Sequence, residues 1–576
     1  MAKHNYISYF YIEKINNHKP YLKIFNHEKA FTNSFLFVKS ISINVSIIVC
    51  VIQEVNPKIK YNMKKEIIFL IATILCTSAM AKNKDEFIQD GFKYTIYKEL
   101  SGRMCAKVSD TERDVPLHLS DDSTLTIPAT VEYEGTKYDV EQIAYGAFAC
   151  RPEIKRLIIS EGITSMGGYA FYRCTNLISV QLPSTFNSIT PPPYVMFDGC
   201  CNLTQVMVDP LNERYDSREG CNAIISKEDS TLVFACLGTR IPKGVTTIGY
   251  RAFSQCEKVE SIVVPEGIKR IEPNAFSNCP NLRNVSLPNT LEEIGYNAFN
   301  NCMSLESITI PKNVSRIIGH MPGGRGEHWN LFGGCYNLKE VKVDKGNKVF
   351  DSRNNCNALI DSRTDFIVAA CGNSSIPTSV KGIARYAFSN SSITSIKIPK
   401  NITKIEDGAF WKCDFCTSIF VDSKNPVYNS KDNSNAIIET KTGKLLQGCS
   451  RTIIPNNVRE IADLAFYGVR LPPYLIIPEG VETIGETVFT SSCGIKYIKM
   501  PSTLKIIRKN AFYGCKDLEY VDMSECSPQV GMNAFGKCSR LVSIGFSPSI
   551  GSIHKLAFSS CPIEKWVMEQ VNIQNN

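Results

Sequence analysis

Apolar and polar positions alternate in short bursts along most of this chain, and the bursts end alike. In residues 281–299, "NLRNVSLPNTLEEIGYNAF", Leu282, Val285 and Leu287 are apolar, while Asn284 and Ser286 are polar. A period of two predicts a short strand with one face turned inward. Pro288 closes the strand, because proline has no N–H for the next ladder bond. Leu291 and Ile294 then turn the chain back. Ala298-Phe299 open a tight turn or 3₁₀ segment that plugs the core from the opposite side.

The unit recurs. Its phenylalanine falls at 148, 171, 197, 253, 276, 299, 332, 388, 410, 466, 489, 512, 535 and 558, and most steps are 23 residues. A fixed period of this length predicts a solenoid, in which stacked coils bury a face that no coil buries alone. Three steps are 56 residues: 197 to 253, 332 to 388 and 410 to 466. Each long step opens at Asp209, Asp344 or Asp422 and passes Tyr215, Phe350 or Tyr428 at equal offsets. It then reaches Asn222-Ala223, Asn357-Ala358 or Asn435-Ala436, and closes on Ile-Pro at 241, 376 or 454. Since 56 exceeds 23 by 33, each insertion reads as an extra, longer coil carrying a hairpin.

The many copies of "IxxxAFxxCxxLxxIxIP" resemble the BspA-like leucine-rich repeats of bacterial surface and secreted proteins, over roughly residues 125–568. Residues 87–97, "FIQDGFKYTIY", and the segment leading to Phe148 look like that family's N-terminal cap. The expected fold is α/β: a right-handed leucine-rich repeat solenoid with a parallel β-sheet on one face and a short β cap over 82–124. The strands before Pro183, Pro265, Pro288, Pro311, Pro399 and Pro501 are expected in one parallel sheet. Trp566 and Met568 fit a last strand, leaving 569–576 as a C-terminal tail. The resemblance implies adhesion, or binding to host or bacterial surface proteins.

The N-terminus departs from this pattern. Residues 63–81, "MKKEIIFLIATILCTSAMA", read as a signal peptide: Lys64 and Lys65, an apolar run from Ile67 to Leu75, then Ala79-Met80-Ala81. Residues 1–62 share nothing with the repeats and read as translated upstream sequence, with Met63 as the true start. The apolar run from Phe35 to Gln53 is broken by Lys39 and Asn44, which argues against a membrane segment. No transmembrane domain is expected in the mature chain, and secretion or display at the cell surface follows from the signal.

Charge sharpens this reading. Residues 1–81 carry ten lysines and four acidic residues, so the remainder holds 54 basic against 52 acidic groups. No basic field is left to gather phosphates, which disfavours nucleic acid as a partner. Four histidines remain, His118, His320, His328 and His554. No nucleophile elbow, zincin motif or paired glycosidase carboxylates can be argued from spacing. The expectation is therefore a non-enzyme, with no cofactor and no metal.

Twenty-one cysteines lie beyond residue 81. Ten sit three residues after a repeat phenylalanine and should form a column with parallel side chains, not the facing geometry a disulfide needs. They read as buried thiols. Cys221 with Cys236, and Cys356 with Cys371, are spaced to allow bridges, but Ser434 stands before Cys449 in the third copy. Cys413-Asp414-Phe415-Cys416 is one CxxC without a second pair, which is weak for zinc.

Two places stand out for ligands, here extracellular proteins or surface glycans. The outward strand positions, two and four before the proline position, are Ser, Thr, Lys or Asn in most coils. Near the C-terminus they become Tyr474 with Ile476, Tyr497 with Lys499, and Tyr520 with Asp522. Three tyrosines one coil apart should stack as an exposed column, suited to binding or to bracing the sheet. The second place is the overlong loop "GHMPGGRGEHWN" at 319–330, with Arg325, His328 and Trp329; long loops on rigid scaffolds often carry binding. A purely structural envelope component is the other reading.

Overall fold

The computed structural model describes residues 10–15, 19–24, 36–37, 86–99, 101–110, 117–187, 196–318, 330–548 and 551–575. The chain divides into two units, 1–85 and 86–576. In the first, Phe10–Ile15 pairs antiparallel with Lys19–Ile24, which pairs antiparallel with Leu36–Phe37. The signal at 63–81 lies outside the described residues.

The second unit is the solenoid. Each coil contributes a front strand of three or four residues whose alternate side chains enter the core. Asn284–Ser286 pairs parallel with Ser261–Val263 on one side and meets Ser307–Ile310 on the other. Leu282 and Leu291 are fully buried, while Asn284 and Ser286 face solvent. A second, much shorter ladder runs up the return side. Its rungs Thr247–Ile248, Arg270–Ile271, Glu293–Gly295 and Arg316–Ile318 also pair in parallel. These Thr-Ile, Arg-Ile and Glu-Ile steps are too short to show as strands by periodicity.

The phenylalanines stack through the centre. Ring centroids of Phe276 lie 5.1 Å from Phe253 and 5.5 Å from Phe299. In the last four steps, Phe466 to Phe558, they are 4.9 to 5.2 Å apart. The turn that follows each ring explains the cysteine column. Nine of the ten column thiols donate to the carbonyl of the preceding coil's phenylalanine at 2.9 to 3.2 Å, as Cys302 does to Phe276 and Cys561 to Phe535. Where the column holds Ser492, its hydroxyl makes the same bond to Phe466 at 2.8 Å. The residue is therefore chosen as a small donor on a mostly apolar body.

The front sheet is not continuous. The strands expected in one sheet fall into four, headed by Thr124–Ile127, Ser261–Val263, Ser395–Ile398 and Tyr474–Ile476. Each break coincides with a hairpin insertion: Ala223–Ser226 with Thr231–Ala235, Ala358–Asp361 with Phe366–Ala370, and Ala436–Glu439 with Lys444–Gly448. The first strand of each hairpin acts as a partition. Ile224 packs into the core upstream and Ile225 into the core downstream. Leu359 and Ile360 divide in the same way, as do Ile437 and Ile438. Because both faces of that strand are buried, the core formed by the described residues is parted into four clusters. The hairpin's second strand then joins the return ladder in parallel, as Thr231–Ala235 does with Thr247–Ile248.

At the N-terminal end, Glu86–Gln89, Phe92–Lys98 and Met104–Asp110 form an antiparallel cap. Met104–Asp110 also pairs in parallel with Thr136–Ile143, which continues to Ser165–Met166 and so joins cap to coils. At the other end the chain forms a helix, Glu564–Asn575, instead of the expected last strand. Val567 is buried against the final coil, and Trp566 stacks on Phe546 with centroids 6.1 Å apart. A helix covers the open end of the core without presenting another strand edge. It is the one α-helix among the described residues, so the coils themselves are strand and turn.

Candidate functional site: the tyrosine column of the front face

The last front sheet places the predicted residues in two rows. Tyr474, Tyr497 and Tyr520 are direct partners on neighbouring parallel strands, and so are Ile476, Lys499 and Asp522. The buried residues between the rows, Leu475, Ile498 and Val521, fix which way the rows face.

The tyrosines are not equivalent. Centroids of Tyr474 and Tyr497 lie 5.9 Å apart with a 45° tilt, and those of Tyr497 and Tyr520 lie 5.1 Å apart at 22°. Tyr497 is thus covered on both faces. Its hydroxyl donates to the Asp522 carboxylate at 3.2 Å. Partial desolvation and the Asp522 charge push the Tyr497 phenol up. Asp522 also accepts from the Ser524 hydroxyl at 2.6 Å and backbone N–H at 3.0 Å. Against the penalty of partial burial, these bonds and that from Tyr497 hold its carboxyl below the usual range. Lys499 pairs with Glu525 at 3.3 Å. Tyr520 lies over Gly545, where a Cβ would come within 2.8 Å of its hydroxyl oxygen. Two of the three rings are therefore committed to the sheet.

Tyr474 is different. It starts this sheet directly after the third hairpin, so no front strand hydrogen-bonds to its upstream side. Its residue exposure is 74%, and Ile476 on the same strand is 67% exposed. Ile453, on the segment leaving the hairpin, is 66% exposed as well. The column's outward apolar surface is concentrated at this break.

Arg325, His328 and Trp329 lie outside the described residues. Pattern reading missed a groove of about 310 Å³ at the second break, between Ser374–Ile376 and the strand Ser395–Ile398, bordered by Lys397 and Phe420. The outward position of Phe420 was legible in its strand, but the groove depends on the preceding hairpin's exit path.

Cysteine chemistry resolves along the same lines. All 21 cysteines from Cys105 onward are free thiols, including Cys221, Cys236, Cys356 and Cys371. The CxxC does not act as a pair. Cys413 is tied to the Phe388 carbonyl at 3.2 Å, whereas Cys416 turns to Cys449 across the third insertion. Among the described residues, three ligand atoms come within 4.8 Å only at Glu99, Cys105 and Glu141. Arg103 forms ion pairs there with Glu99 at 3.7 Å, with Asp139 at 3.3 Å and with Glu141, so a guanidinium already balances the charge.

A parallel solenoid of about 23-residue coils with an inward Ile/Leu lattice defines the leucine-rich repeat class. The chain matches the BspA type Leucine rich repeat region over residues 132–217, 238–360, 366–442 and 448–565, and it belongs to that family. No curated protein matches it. Solved structures similar to it include a leucine rich cell surface protein from Faecalibacterium prausnitzii A2-165. That one is 19% identical, covering 81% of this chain and 95% of that one, with a TM-score of 0.31. A leucine-rich repeat protein from Bacteroides ovatus ATCC 8483 is 21% identical over 80% and 94%, with a TM-score of 0.29. The pneumococcal vaccine antigen PcpA is 14% identical over 83% and 88%, with a TM-score of 0.28.

Proposed function

We propose that this protein is an exported, surface-associated or secreted recognition module that binds another protein through the C-terminal part of its front face. The observation that carries the reading is the exposed apolar step formed by Tyr474 and Ile476. The matching positions elsewhere are mostly small or polar, such as Ser307 and Thr309. Solvent-facing large apolar side chains clustered at one place on a rigid scaffold favour partner binding. The charges beside them, Lys499 and Asp522, supply a polar rim. A family associated with bacterial surfaces and the signal-like segment at 63–81 support export.

A glycan is the second reading, and ring geometry weighs against it. Sugars stack on open aromatic faces, but Tyr497 is sandwiched and Tyr520 lies over Gly545, so Tyr474 alone offers a free face. A protein surface needs only the exposed edges and the Ile476 side chain. Catalysis forms no part of the proposal, since the acids and thiols described above serve turns, strands and column bonds.

The test is a binding screen of the purified protein against immobilised extracellular-matrix proteins, bacterial surface proteins and a glycan array. The triple variant Y474S/Y497S/Y520S and the single variant I476S are screened in parallel, with circular dichroism confirming the folded array. Loss of a protein ligand in both variants is the expected result. Unchanged affinity would make the column structural and turn attention to the hairpins or to residues 319–329.

A further inference from the structure

The first hairpin insertion gathers four thiols around one small opening. Cys200, Cys201, Cys236 and Cys256 line a cavity of about 30 Å³, together with Gln255 and Glu257. Three come from the turns after Phe197 and Phe253, and Cys236 comes from the hairpin between them. The insertion leaves these thiols in unequal states. Cys200 keeps the column bond, donating to the Phe171 carbonyl at 3.1 Å. Cys236 donates to the Asn222 carbonyl at 3.2 Å, and Cys201 donates to the Gly199 carbonyl at 3.4 Å. Cys256 is the tenth column cysteine and the one that does not donate to a phenylalanine carbonyl. The hairpin separates its coil from that of Phe197, which would have supplied the acceptor. A column position built for a donor thus lines a cavity shared with three other cysteines and makes no bond to a phenylalanine carbonyl.

We propose that this cavity binds a soft monovalent cation, copper(I), with Cys256 and Cys236 as its two sulfur ligands and Cys201 at the mouth. Thiolates select soft d¹⁰ ions over the hard, oxygen-seeking cations. Spacing bounds the number of preformed donors. These sulfurs do not form a set of three within 4.8 Å of one another, so a tetrahedral zinc site, with sulfurs about 2.3 Å from the metal, is not preformed. Two-coordinate copper(I) asks for only one sulfur on each side of the ion, and χ1 rotation of Cys256 costs it no hydrogen bond. Cysteine thiols carry their protons at neutral pH. Binding therefore breaks two S–H bonds, forms two S–Cu bonds and releases two protons, with no change of oxidation state. The site is independent of the front-face reading, since it lies at the first insertion.

The test is an anaerobic titration of the full-length protein with copper(I) held by bicinchoninate, in a C150S/C493S background that removes the two exposed thiols. One equivalent should transfer to the protein. Cys256→Ser and Cys236→Ser should each weaken transfer at least tenfold, while Cys515→Ser, in the intact column, should not. C256S removes no column bond, and an unchanged melting temperature separates loss of a ligand from loss of fold. Bound copper(I) should also shield Cys256 from alkylation in peptide mapping. Absence of transfer, equal transfer to C256S, or zinc(II) binding as tight as copper(I) would each overturn the assignment.

Discussion

Replacing Phe276 by alanine tests the architecture most directly. The ring is fully buried and stands between Phe253 at 5.1 Å and Phe299 at 5.5 Å, nearly parallel to the latter at 3°. Withdrawing such a side chain from the core forfeits about 1.5–3 kcal/mol of transfer free energy. Neighbouring coils cannot collapse into the space, because their spacing is fixed by two parallel ladders and by Cys302 on the Phe276 carbonyl. The cavity therefore persists, and the total cost should reach about 3–5 kcal/mol. In a solenoid each coil contacts only its neighbours, so the loss should be local. Urea denaturation followed by circular dichroism should show an earlier transition. Hydrogen exchange should show lost protection centred on the coils of Phe253 and Phe299, with little change near Phe535. A shift no larger than that of Asn284→Ala, on the exposed strand face, would refute the central stack.

Other expectations can be checked alongside it. Alkylation in denaturant without reductant, read by intact mass, should modify most of the 21 thiols; widespread protection would mean disulfides. Cys302→Ser should be nearly neutral, because Ser492 already makes the equivalent bond. Cys302→Ala strands the Phe276 carbonyl and should cost about 1–3 kcal/mol in the same urea assay. Gly295→Ala would place a methyl 2.2 Å from the Pro273 backbone nitrogen; backbone cannot yield as a side chain does, so about 1–3 kcal/mol should be lost. Acid should loosen the array through Glu266 and Glu479. Backbone N–H groups of Asn289 and Ser502 in the next coil bond these carboxylates at 3.0 Å and lower their pKa values. Since the folded values lie below the unfolded ones, their contribution is present above the usual glutamate range and is lost as pH falls through the folded values. Thermal melts from pH 6 to 3 should show a smaller drop for E266Q/E479Q than for the parent.

Much of this protein was written in one dimension. The 23-residue recurrence of Phe, the alternation around residues such as Val285, and the proline stops fixed a parallel solenoid, because a repeated short-range pattern leaves stacking as the way to bury its apolar face. The position of the tyrosine column followed from counting, as did the reduced state expected of parallel cysteines. Other features required the chain in space. Ile224 and Ile225 are adjacent apolar residues in any reading, and only packing shows them facing two different cores and so interrupting the front sheet. The terminal helix answers a need of the open core end rather than a strong local pattern around Trp566. The three tyrosines look identical by spacing, yet neighbours decide their roles: Asp522 takes one hydroxyl, Gly545 makes room for another, and the break after the hairpin leaves Tyr474 exposed. Periodicity sets what repeats, while the insertions decide where the repeat is interrupted, and that is where the exposed surface and the unpartnered Cys256 thiol arise.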